Sequence, residues 1–147
     1  MARIRIDFPS KILFSTQLPV RITDLNYGAH VGNDTFLRYL QEARTELLRT
    51  WGYPSETEGI EGVGLIMADV AVSYQAEVFY GDILTVEMGV QDITRSGFDW
   101  VYRLSKVDTS EAVAVAKTGM VCYDYDQRKV VRIPEGLLTK LLPGENA

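Results

Sequence analysis

The chain is 147 residues long, the size of one domain, and its 46% hydrophobic and 24% charged residues are the proportions of an ordinary globular protein. Fifteen Lys and Arg stand against twenty Asp and Glu, a net charge of −5, which argues against a nucleic-acid binder because phosphates need a basic face. One cysteine, Cys122, excludes an internal disulfide framework, and with a single histidine it leaves too few ligands for a structural zinc site.

The start of the chain, Met1 to Asp7, alternates charged and apolar residues and lacks the apolar stretch of a secretion signal. Nowhere do 18 apolar residues follow one another, so no membrane span is expected and a cytoplasmic protein is. Charge is uneven: residues 1–51 carry seven basic and five acidic side chains, the remainder eight and fifteen. That is first a mosaic of solvated surface, and second a mildly basic region able to meet an anionic ligand.

Ile12 to Ile22 reads as a strand, with Pro19 restricting it to an edge or a bulge. Arg21 to Asp34 follows as a polar segment holding the only histidine, two aspartates, two asparagines and glycines. Glycines before a helix can present backbone N–H groups to a ligand, where the helix dipole favours negative charge and a developing oxyanion. The same residue types also make an ordinary capped loop.

From Asp34 to Trp51 the apolar residues Phe36, Leu40, Ala43, Leu47 and Trp51 recur at helical spacing, with Leu37 and Leu48 beside them. Arg38, Glu42, Thr45 and Arg49 fall on the opposite side. Asn33 or Asp34 is placed to cap this helix, and Gly52 with Pro54 to end it.

Period two then takes over. Val70, Val72, Tyr74, Ala76 and Val78 form one face, then Leu84, Val86, Met88 and Val90, then Phe98, Trp100, Tyr102 and Leu104, then Val113, Val115, Val121 and Tyr123. Short turns between these runs predict a four-stranded antiparallel meander. Cys122 is expected as a small core residue. One helix covers one face of such a sheet, so open edges and a half-apolar second face predict a homo-oligomer.

The run Asp24-Leu-Asn26-Tyr-Gly28-Ala-His30-Val31-Gly-Asn33, followed by Tyr39-Leu-Gln-Glu42-Ala43-Arg44, resembles the hotdog-fold thioesterases of the 4-hydroxybenzoyl-CoA and acyl-CoA thioesterase type. Their pattern is Asp-x-Asp-x-x-Gly-His-Val-Asn-Asn and then a helix with Glu-x-Ala-Arg. Tyr74 to Val86, with Gly81-Asp82, is similar to the same family, and the resemblance spans about residues 12 to 135. It implies an α+β hotdog fold over residues 1–147: one long helix wrapped by an antiparallel sheet, paired into homodimers or homotetramers with the active site at the interface. It also implies hydrolysis of a fatty or aromatic thioester of coenzyme A or acyl carrier protein, with no cofactor beyond the coenzyme A of the substrate.

In that family the second aspartate is the catalytic carboxylate; here the position is Asn26, and Gly-His becomes Gly28-Ala29-His30. An amide has no proton to exchange, so a neighbouring group must act as base. Asp24 lies two residues away and would share a face with Asn26 on an extended segment; His30 carries an imidazole suited to proton transfer near neutral pH. The expected catalytic residues are therefore Asp24, Asn26 and His30, with Gly28, Val31, Asn33 and Asp34 binding substrate and backbone N–H groups near Val31 receiving the thioester carbonyl. Asp34 doubles as a helix cap, and Glu42 as a solvated helix residue. Two alternatives remain: a hotdog enoyl-CoA hydratase or dehydratase, since those enzymes pair Asp, Asn and His in a similar loop, and a non-catalytic acyl-CoA binder.

Overall fold

The computed structural model describes residues 3–142; Met1, Ala2 and residues 143–147 of the expected 1–147 domain lie outside the described residues. Strand β1 (Phe14–Pro19) leads through a 3₁₀ turn (Ile22–Asp24) to helix α1 (Thr35–Thr50). Strands β2 (Gly64–Tyr74), β3 (Ile83–Gln91), β4 (Gly97–Lys106) and β5 (Ala112–Asp124) follow, then the short β6 (Lys129–Val130) and helix α2 (Glu135–Leu141). The result is the α+β arrangement of one long helix on an antiparallel sheet.

Helix α1 forms where its apolar period places it. Phe36, Leu40, Ala43, Leu47 and Leu48 are all buried, joining Leu84, Val86, Met88, Phe98, Trp100 and Leu104 of β3 and β4 in one core. Arg38 and Glu42 are exposed, as the helical period requires. Trp51 closes the helix half-buried, and Gly52, at φ +89°, takes the left-handed conformation that ends it. Asp34 occupies the position before the helix, yet its side chain makes no capping hydrogen bond, contrary to the expected cap.

The strands are not a four-stranded meander. Their order is β1-β3-β4-β5-β2, so only β3, β4 and β5 follow in sequence. β1 occupies the edge of β3 that β2 was expected to take, pairing Phe14 with Met88 through Pro19 with Ile83. β2 instead pairs with β5 and forms the far edge. Pro19 ends an edge strand, as expected. The residues between β2 and β3 leave the sheet and cross the start of α1, where the Val31 N–H donates to the Val78 carbonyl at 2.8 Å.

The face of β5 also departs from the expected one. Ala114, Ala116, Thr118, Met120 and Cys122 point into the core, while Val115, Val121 and Tyr123 are half-buried on the other side. The cause is a bulge: Leu104 pairs with Ala114 and Ser105 with Ala112, so Val113 is the extra residue and both Val113 and Ala114 are buried.

One core group is charged. Arg44, 6% exposed, binds Glu56 through Nε at 2.5 Å, and its Nη1 donates to the Tyr102 hydroxyl at 3.3 Å. Tyr102 lies 2.6 Å from Thr118 Oγ1, both fully buried. Burial pushes the Tyr102 phenol up to about 12, so it keeps its proton, accepts from Arg44 and shares a hydrogen bond with the Thr118 hydroxyl.

The packing gives a direct comparison. Leu40, 1% exposed, should lose about 2–5 kcal/mol on Leu40→Ala in urea unfolding. Leu37, 39% exposed one turn edge away, should lose no more than about 0.5 kcal/mol on Leu37→Ala. Equal losses would mean that α1 is rotated about its axis.

Candidate active site

The segment between the 3₁₀ turn and α1 folds back on itself. Leu25 and Val31 form an antiparallel bridge, the Asn26 N–H donates to the His30 carbonyl at 2.8 Å, and the Ala29 N–H donates to the Asn26 carbonyl at 3.0 Å. The turn places Ala29 at φ +64°, a left-handed conformation seldom taken by a residue with a β-carbon. Gly28 sits at its tip, with its N–H donating to Asn26 Oδ1 at 2.8 Å.

A methyl group on Gly28 would lie 3.2 Å from Asn26 Oδ1 and 3.3 Å from His30 Nε2. Asn26, Gly28 and His30 therefore form one cradle. His30 Nδ1 lies 3.2 Å from the Val31 carbonyl, so the neutral ring donates there and leaves Nε2, the atom over Gly28, as an acceptor. Asp34 approaches from the other side, with Oδ1 2.7 Å from where a Gly32 β-carbon would stand.

Asp24 is drawn elsewhere. It belongs to the 3₁₀ turn rather than an extended segment, so the expected shared face with Asn26 is not formed. Its carboxylate accepts the Arg21 N–H at 2.9 Å and the Tyr39 hydroxyl at 2.8 Å. Burial, then the bond to Asp24, holds the Tyr39 phenol above the ordinary tyrosine range. Asp24 lines a cleft of about 170 Å³ with Arg21, Arg38, Tyr39 and the exposed Glu42, whereas His30 lines another.

The N–H groups also sort differently from expectation. Val31 donates to Val78 across the loop, and Gly32 donates to the Asp24 carbonyl at 3.4 Å, so neither is open to a substrate. The N–H groups of Asn33 and Asp34 have no partner among the described residues and stand at the N-terminus of the 16-residue α1. Tyr74, at the end of β2, fixes this corner: its hydroxyl donates to the Asn33 carbonyl at 2.8 Å and its ring meets Phe36 edge-on at 5.2 Å. Burial and the Asp34 charge raise the Tyr74 phenol.

The cleft beside this corner, about 260 Å³, is lined by His30, Val31, Asn33 and Phe36 together with Tyr74 to Val78. Glu77 in this wall is an acid outside the expected set of site residues. A larger open groove of about 500 Å³ lies beside Glu58, Asp124 and Asp126, whose charges would repel an anionic ligand. Cys122 is fully buried and its thiol is pushed up to about 11 by that burial, which fits a core residue and not a nucleophile. No group of three or more His, Cys, Asp or Glu side chains placed to hold a metal occurs among the described residues, and no described helix is long and apolar enough to cross a membrane.

Comparison with known proteins gives the relatives of this arrangement. The family model described as thioesterase-like superfamily matches residues 20–141. Long-chain acyl-CoA thioesterase FadM of Escherichia coli is 28% identical over 131 residues, which span 86% of this chain and 95% of FadM. Slr0204, a 1,4-dihydroxy-2-naphthoyl-CoA thioesterase from Synechocystis, superposes with a TM-score of 0.80 at 21% identity, covering 88% of this chain and 96% of its own. SAV2348 of Staphylococcus aureus, solved in complex with CoA, superposes with a TM-score of 0.79 at 14% identity, covering 92% and 85%. At these identities the two structures carry the fold, which is the hotdog fold expected from the motifs.

The separate anchoring of Asp24 is testable. Tyr39→Phe removes a hydrogen bond to a carboxylate and should cost about 1.5–3 kcal/mol in urea unfolding. No measurable loss would show that Asp24 is not held by Tyr39 in solution.

Proposed function

Because the chain belongs to the thioesterase-like superfamily, we propose that it hydrolyses the thioester of a fatty or aromatic acyl-CoA or acyl carrier protein, at a site formed where two copies of the chain meet. The observation that carries this reading is the corner at the start of α1: two open N–H groups, Asn33 and Asp34, beside the Asn26–Gly28–His30 cradle. A thioester carbonyl accepting from those N–H groups gains most when it becomes an oxyanion, because the donors are fixed and the helix dipole adds to them. Asn26 and His30 Nε2 supply polar atoms that hold the attacking water, and coenzyme A enters only as part of the substrate, with no further cofactor. FadM, named as a long-chain acyl-CoA thioesterase, and the CoA complex of SAV2348 support coenzyme A as the carrier.

Strand β2 supports the pairing of two chains. Its outer edge has no strand beside it among the described residues, and Met67, Val70 and Tyr74 along it are each about two-fifths exposed. An open edge with apolar side chains is covered by a second copy in the simplest assembly, a homodimer, on which a homotetramer can build. Tyr74 then lies where that edge reaches the cleft. We place the protein in the cytoplasm, where acyl-CoA is found with soluble enzymes.

Free-thiol release from a panel of acyl-CoAs, with an enoyl-CoA hydration assay alongside, tests the activity. Thiol release is expected, and Asn26→Asp should increase it by placing a carboxylate in the cradle. Loss of the enoyl double bond without thiol release would make the protein a lyase, and calorimetric binding without turnover a binder. Sedimentation at micromolar concentration should give a multiple of the 16.5 kDa chain, and a monodisperse monomer overturns the shared site.

A further inference from the structure

Hydrolysis of a thioester by water requires a group that takes a proton as the water oxygen bonds to the carbonyl carbon. Asn26 has no protonation change to offer. The other carboxylates near the loop do not line this cleft. Asp24 is committed to Tyr39 and the Arg21 N–H in the neighbouring cleft, which Glu42 shares, and Asp34 rests against Gly32. Among the described residues, Glu77 is the one carboxylate that lines the cleft holding His30.

The backbone around Glu77 is pinned where a base is needed. Val78, the next residue, is 1% exposed and its carbonyl accepts the Val31 N–H, while Gln75 and Ala76 donate to the Val113 carbonyl at 2.8 and 3.3 Å. The Glu77 side chain itself is exposed and free to reach into the cleft. His30 and Tyr74 line the same cleft, and no salt bridge engages Glu77 among the described residues.

We infer that Glu77 is the general base of this site. This rests on the hydrolytic reading above and names the proton acceptor that reading lacks. The Glu77 carboxylate takes a proton from water as the water oxygen forms a bond to the thioester carbonyl carbon. The oxyanion, held by the Asn33 and Asp34 N–H groups, then collapses and the carbon–sulfur bond breaks. The thiolate leaves with the electron pair and takes up the proton that Glu77 received, giving a carboxylic acid and free coenzyme A. His30 Nε2 and the Asn26 amide position the water and do not need to change protonation.

The test uses the full-length chain and the acyl-CoA that gives the fastest thiol release. Glu77→Gln should lower kcat by about 10²–10⁴ with little change in KM, while Glu77→Asp keeps part of the activity. Glu77→Ala should recover turnover when formate is added, since a small carboxylate can occupy the vacated space; a structural role would not respond in that way. Circular dichroism melting of each variant reports the fold separately. Wild-type thiol release with an unchanged kcat in Glu77→Gln, or a loss in folded Glu77→Ala that formate does not relieve, overturns the assignment and leaves the thioesterase reading standing. Absence of thiol release from the wild-type protein overturns both.

Discussion

Burial of the α1 stripe against the inner face of β3, β4 and β5 is the constraint on which the other features hang. Six side chains of the helix enter one core with the strands, and each large aliphatic group moved out of water contributes roughly 1.5–3 kcal/mol. That contact fixes the helix axis and therefore the position of its first turn. The loop from Leu25 to Val31 is then closed against a fixed wall by two backbone hydrogen bonds, and the crossing segment at Val78 completes the wall. The polar corner is as well defined as the core beneath it.

The corner divides its polar groups by purpose. Tyr39 and the Arg21 backbone hold Asp24, while His30 and Asn33 line the cleft on the other side. A hydrogen bond to a buried phenol is a firm anchor, and an anchored carboxylate is a poor mobile base. In the proposed hydrolysis Asn26 leaves the demand for a base to another segment of chain, and the β2–β3 connection, with Glu77, lines the same cleft as His30.

Much of this was legible in the residues. The α1 period names the buried face with only Leu37 and Trp51 less buried than the stripe, because a helix of this length has one way to hide it. Pro19 marks the edge strand since proline lacks the donor a central strand uses. Two readings failed for reasons outside local sequence. The face of β5 was inverted by the bulge at Val113, and valine outranks alanine in hydropathy although the smaller Ala114 and Ala116 are the ones under the helix side of the sheet. The strand order was misread because β1, far off in sequence, takes the edge of β3. In the loop, the Asn26 to His30 cluster was visible as composition, but the hydrogen bond that engages the Asp24 carboxylate comes from Tyr39, fifteen residues downstream. Glu77 was hidden because nothing in its own neighbourhood distinguishes it from a solvated acid; only the crossing over α1 brings it to His30.

The chain of contacts Arg44–Tyr102–Thr118 also bears on how the sheet comes together. Thr118 reaches Tyr102 only if β4 and β5 meet in the native alignment, with Tyr102 opposite Ala116 and Trp100 opposite Thr118. A slip of one residue turns Thr118 to the outer face and takes one partner from the buried Tyr102 hydroxyl, while Arg44 keeps Glu56. Hydrophobic side chains alone would forgive such an error, because valine and alanine pack acceptably in several alignments. The Tyr102–Thr118 hydroxyl pair therefore adds a penalty for the wrong alignment that apolar side chains alone do not carry.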